Sequence, residues 1–236
     1  YVRKIKRKSI PCQSGFGETR TSYFYPRFQA SILYNGASWK DRTIESFVGG
    51  SDGFCVWNKE PEPQGRTTTG YYLRKRVDES HDVINENGSV QPVTIIRLGE
   101  VLLNKAEACY RLNDAAGANA AVKAIRDRVG LPYQDKAGEN LWKAIRQERK
   151  VELAYEGQWY WDLRRWKVAH EQYPTGLNGY QVHGLRIEQQ PNGDFVYNYV
   201  SVDDKDRNFP ERMYRFPLPS GELSSNAAVS QYPEWK

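Results

Sequence analysis

Long apolar runs are missing from this 236-residue chain, and so are most residues that metal and redox chemistry use. No stretch is apolar enough to cross a bilayer as a helix, which takes about 20 such residues. Histidine occurs three times, at His81, His170 and His183, and no His/Cys set has ligand spacing. Neither a metal nor a cofactor is therefore expected. Aspartates near Asp203 are the one local candidate for calcium, and a solvated turn explains them as well. The cysteines Cys12, Cys55 and Cys109 follow no framework spacing, so disulfides do not organise the fold. Gly15-Phe16-Gly17 and Gly49-Gly50-Ser51 lack the helix-opening context of a phosphate cradle.

Aromatic side chains are abundant instead, with 7 Trp and 16 Tyr in a chain of net charge +5. Three zones follow from composition. Residues 1–91 are rich in loops and short strands, punctuated by glycine and proline. Residues 92–170 form a helical block. Residues 171–236 return to irregular structure around one hairpin, in which Gln181–Gln189 and Phe195–Val202 flank the turn Pro191-Asn192-Gly193-Asp194. The zones are expected to form one intertwined unit. The basic opening from Arg3 to Lys8 lacks a nucleic-acid docking motif and is expected to be a solvated strand face.

The helical block decides the fold class. Ile95, Leu98, Leu102, Ala106, Cys109 and Tyr110 fall at three- and four-residue spacing and predict one buried helical stripe. Asn113-Asp114 supplies a break and an N-cap. Ala118, Ala121, Val122 and Ile125 predict a second stripe, which Gly130 and Pro132 end. The pair resembles a tetratricopeptide hairpin, and such a unit needs apolar neighbours. A third helix carries Glu148, Glu152 and Glu156 on one ridge, followed by the aromatic run Trp159-Tyr160-Trp161. The expected architecture is mainly α, with irregular loops, short β hairpins and a tetratricopeptide-like helical hairpin.

Six segments, in order, resemble the SusD/RagB family of Bacteroidetes nutrient-binding lipoproteins. They are Pro26-Arg27-Phe28 with Tyr34-Asn35-Gly36, the TGYYLRK run from Thr69, and RLGEVLLNKAEA from Arg97. IRDRVGL from Ile125, the stretch Ile145–Trp166, and Arg215–Trp235 complete the set. Tyr25 stands where the family has an acid. The resemblance implies that residues 1–236 are the C-terminal portion of such a protein, with the N-terminal half and its lipid anchor outside this chain. It also implies a surface position on the outer membrane. The partner would be a SusC-like TonB-dependent transporter barrel, which receives an oligosaccharide or a peptide from the SusD-type C-terminal region and its missing half. An oxidising compartment would permit a Cys12–Cys55 bridge.

Two chemistries compete for the charged and aromatic residues. Glu148 and Glu152 invite comparison with a helical glycoside hydrolase, whose carboxylates stand roughly 5–9.5 Å apart across a cleft. The alternative is a set of structural ion pairs such as Glu148–Lys143, Glu152–Arg149 and Asp162–Arg165. Non-enzymatic capture is the favoured expectation. Tyr34, Asn35, Trp39, Asp52, Phe54 and Trp57 are the candidate ligand residues, because rings in polar loops can stack on sugars while amides and carboxylates reach hydroxyls. The loop tryptophans favour an oligosaccharide; a RagB-like peptide ligand is the alternative.

Overall fold

A computed structural model describes residues 26–55, 66–82, 85, 88–174, 181–203, 205 and 207–236. The core is built by α2 (Leu98–Arg111), α3 (Ala115–Arg128) and α4 (Gly138–Glu152). Helices α2 and α3 are a hairpin turned by Asn113, whose φ is +61°, and capped by Asp114, whose carboxylate accepts from the Gly117 amide at 2.8 Å. Ala106, Ala118 and Ala121 keep side-chain bulk off the contact, so Val122, Leu141, Trp142 and Ile145 close over it as one cluster. Leu103, Ile125 and Leu153 form a second cluster beside it.

The α3 stripe faces inward as its spacing predicts. The α2 stripe holds from Leu102 to Tyr110, where Ala106 is buried and Leu102, Cys109 and Tyr110 pack against the two clusters, and fails at its start. Leu103 and Ala106 are fully buried, whereas Leu98 is 71% exposed and Ile95, which precedes the helix, is 84% exposed. The apolar spacing continues through Ile95 and Leu98, so spacing alone could not mark where burial begins. Val101 and Leu112 also stand exposed among the described residues.

After α4 the chain passes through left-handed Tyr155 and Gly157 into α5 (Gln158–Arg165) and the single turn α6 (Ala169–Gln172). Leu163, Ala169 and Phe209 pack together there. Short α7 (Ser220–Ser225) and two 3-10 turns, Glu211–Tyr214 and Pro233–Trp235, occupy the C-terminal part.

On the N-terminal side, α1 (Pro26–Ser31) leads into β1 (Ile32–Leu33) and then a hairpin of β2 (Ser38–Trp39) and β3 (Arg42–Thr43). Lys40 and Asp41 both have positive φ, +46° and +63°, which gives the primed two-residue turn whose twist suits a tight hairpin. β4 (Tyr72–Leu73) pairs antiparallel with β1. The second hairpin, β5 (His183–Gln189) with β6 (Phe195–Ser201), runs in register from His183 opposite Ser201 to Gln189 opposite Phe195. It lies against the N-terminal zone through main-chain bonds, with the Leu185 amide donating to Thr69 O and the Val48 amide to Ile187 O. Gly70 makes this approach possible: its φ is +81°, and a Cβ there would lie 2.3 Å from Leu185 O.

Candidate functional site

The three glutamates of α4 and the loop after it sit under a ring of cations drawn from distant segments. Glu148 accepts from Arg27 at 2.5 Å and from Arg126 at 3.0 Å. Glu152 accepts from Arg97 at 2.7 Å, Arg128 at 2.8 Å and Arg27 at 3.2 Å. Glu156 is held by Arg97 through both of its oxygens and by Lys75 at 2.6 Å. Lys75 and Arg97 also donate to carbonyls at the end of α4, Lys75 to Glu152 O and Ala154 O and Arg97 to Glu152 O. Those carbonyls have no partner within the helix, and cations favour that end of its dipole. A second, buried pair joins Arg149 to Asp162 at 2.6 Å. Arg165 extends it from Asp162 to a two-pronged contact with Glu107.

The expectation of ion pairs therefore stands, but with partners exchanged. Asp162–Arg165 forms as expected from its spacing. Glu148 pairs with Arg27 and Arg126 rather than Lys143, and Arg149 turns to Asp162 and Asn104 rather than Glu152. Arg27, Lys75 and Arg97, which close the ring, carry no periodic signal. Their only sequence trace is membership of three separate family-like segments.

At Glu156 this electrostatics opposes proton donation. Burial alone would push the Glu156 carboxyl up, but Arg97 and Lys75 outweigh it and hold the group below its usual range. Glu107 behaves alike: burial raises it, and Arg165 and Trp166 bring it down further. A general acid needs the opposite shift, as in glycosidases. The carboxylates act as anchors for six cations, Arg27, Lys75, Arg76, Arg97, Arg126 and Arg128.

The expected ligand residues divide into three groups. Trp39 is half-buried on the β2–β3 hairpin, resting against the cluster of Leu33, Ala37 and Ile44, with the Lys40 ammonium 5.9 Å from its ring. Tyr34 lies on the same cluster and is 5.6 Å from Phe28, which meets Tyr71 edge-on. Asn35 is half-buried, and its amide makes no hydrogen bond to another described residue. These residues form one continuous patch. Asp52 braces it from below: Arg42 grips the carboxylate at 2.6 and 2.7 Å and holds it below its ordinary range, while Tyr72 donates to its carbonyl. Phe54, at 8% exposure, packs inward and offers no open ring face. Trp57, like Cys12 and the basic opening, lies outside the described residues. Among the described residues there is no cluster of His, Cys, Asp and Glu able to hold a metal, and no helix is long and apolar enough to cross a membrane.

Comparison with known proteins agrees with this architecture. A curated relative, SusD-like protein P2 of Formosa agariphila, is 32% identical over 144 residues, covering 56% of this chain and 23% of that protein. A solved SusD-like protein from Bacteroides fragilis superposes with a TM-score of 0.67 at 27% identity, over 89% of this chain and 38% of the other. A SusD superfamily structure from Bacteroides vulgatus, at 18% identity and TM-score 0.53, shares the fold across 92% of this chain and 41% of its own. The chain thus spans about a quarter to two-fifths of these relatives' lengths. The SusD family model matches residues 24–235, from the segment that supplies Arg27 to the final 3-10 turn, and the chain belongs to the SusD family.

Proposed function

We propose that this chain forms part of a non-catalytic capture protein that holds an oligosaccharide and passes it to a SusC-like TonB-dependent transporter at the outer-membrane surface. Family membership carries this reading most directly. The local chemistry supports it, because every carboxylate on the α4 ridge is bound by at least two cations and is poorly placed to move a proton. Capture then falls to the patch of Trp39, Tyr34 and Asn35, braced by Asp52. Each stacked ring contributes about 0.5–1.5 kcal/mol, so a few rings give the weak hold that onward transfer requires. Exposed Ile95, Leu98, Val101 and Leu112 give α2 an apolar face suited to packing against further helices.

Calorimetry across glycan and peptide panels tests the reading. Expected are glycan binding weakened by Trp39→Ala, co-purification with a barrel, and no new reducing ends. A peptide bound in preference would keep the capture role and change its cargo. Reducing ends that vanish in Glu148→Gln would overturn the non-catalytic reading.

A further inference from the structure

A shallow open groove borders Glu148 of the ion network, and most of the residues that line it are exposed. Two cavities of about 400 and 580 Å³ adjoin between α4 and the loop before it, sharing Lys136 and Ala144. Asn140, Lys143, Ala144, Gln147 and Glu148 supply the α4 wall. Their spacing puts them on one helical face about 12 Å long. Ala144, in the middle, leaves room at the floor.

The facing wall is fixed in advance. Asn119, 5% exposed on α3, uses its whole amide on that loop and its own helix. Its Nδ2 donates to Ala115 O and Lys136 O, and its Oδ1 accepts from Tyr133 Oη at 2.8 Å and the Lys136 amide at 3.0 Å. Arg126 pins the same loop by donating from Nε to Pro132 O. A wall held in this way costs little ordering when a ligand enters.

Around the groove, Arg126, Lys136 and Lys143 face Asp135 and Glu148, and Glu148 is also neutralised by Arg27. The three cations that line it against two anions leave a small positive surplus, and Arg27 divides its charge between Glu148 and Glu152. The ammonium groups of Lys136 and Lys143, Nη2 of Arg126, and the amides of Gln134, Gln147 and Asn140 make no bond to other described residues. Free amides and surplus cations are what a hydroxylated, negatively charged ring would engage.

We propose that this groove is a second capture subsite, selective for a saccharide unit bearing a carboxylate or sulfate. The anion pairs with Lys136 and Lys143, and hydroxyls meet Gln134, Gln147 and the remaining Nη2 of Arg126. This rests on the glycan-capture reading and narrows its cargo.

Amide NMR of the intact protein, titrated with cellobiouronic acid and with neutral cellobiose, tests it. The acidic sugar should shift amides of Tyr133, Gln134, Lys136 and Gln147, with binding weakened about tenfold in Lys136→Gln/Lys143→Gln and further by added salt. Cellobiose should leave those amides still. Overturning results are equal effects of the two sugars, silence of residues 132–148 in a folded spectrum, or stronger binding of an Asp-Asp dipeptide at the groove. The acidic sugar acting only at Tyr34–Asp52 would refute the subsite and leave glycan capture intact; silence at both faces would remove both.

Discussion

Replacing Glu152 by Gln should be among the most damaging changes of a single charge in this chain. The carboxylate is 2% exposed and accepts from Arg97, Arg128 and Arg27. Glutamine keeps the volume and removes the charge, leaving six cations to two carboxylates, Glu148 and Glu156. Arg27, only 11% exposed, then keeps Glu148 as its one anionic partner. Removing one member of a buried ion pair costs about 3–5 kcal/mol, because the remaining charge stays desolvated. At about 2–4 °C per kcal/mol for a chain of this size, the melting temperature should fall by ~6–20 °C. Urea unfolding, followed by tryptophan fluorescence, should show a lower midpoint at unchanged slope. The control is Asp127→Asn, which breaks the exposed Lys123–Asp127 pair and should cost at most about 0.5 kcal/mol. If Glu152→Gln costs no more than this control, the network is not a keystone of the fold.

Other expectations follow from the same geometry. The depressed Glu156 carboxyl contributes stability that is complete above its unfolded pKa, near 4.3, and is lost as pH falls through its lower folded value; acid melts should show this, and Glu156→Gln should flatten it. Trp39→Ala should weaken glycan binding by about two- to twelvefold in calorimetry while leaving the melt nearly unchanged, since the ring is only half-buried. Asn119→Ala should cost about 1–3 kcal/mol and speed hydrogen exchange at the Lys136 amide, which donates to its side chain. Gly70→Ala meets both a positive φ and the Leu185 carbonyl, so it should loosen the β5–β6 hairpin and expose the Thr67–Leu73 segment to protease.

Local signals in the sequence proved readable, and long-range ones did not. The α3 stripe, the Asp114 cap and the turn at Pro191–Asp194 each depend on residues within one or two turns of chain, and all appear as expected. The α2 stripe is right from Leu102 onward and wrong at Ile95 and Leu98, whose apolar spacing continues the pattern where the side chains are exposed. The β2–β3 turn gave no warning, since Lys40-Asp41 adopts backbone angles that Asn-Gly ordinarily supplies. Ion-pair partners were guessed from helical spacing, whereas those of Glu148 and Glu152 lie 22 to 125 residues away. A buried Asn119 would have been the clue to the groove, since an amide that enters a core needs partners for all its polar atoms.

The pairing of Arg27 with Glu148 also constrains how the chain is made. Arg27 leaves the ribosome 121 residues before its acid. At about 5–20 residues per second, that is a wait of roughly 6–24 s. Lys75, Arg97, Arg126 and Arg128 emerge during the same interval, all ahead of the glutamates they will hold. Until Glu148, Glu152 and Glu156 are made, these cations lack the carboxylates that fix their places in the folded chain. The contacts that tie α1 to the helical block therefore form only once α4 has been translated.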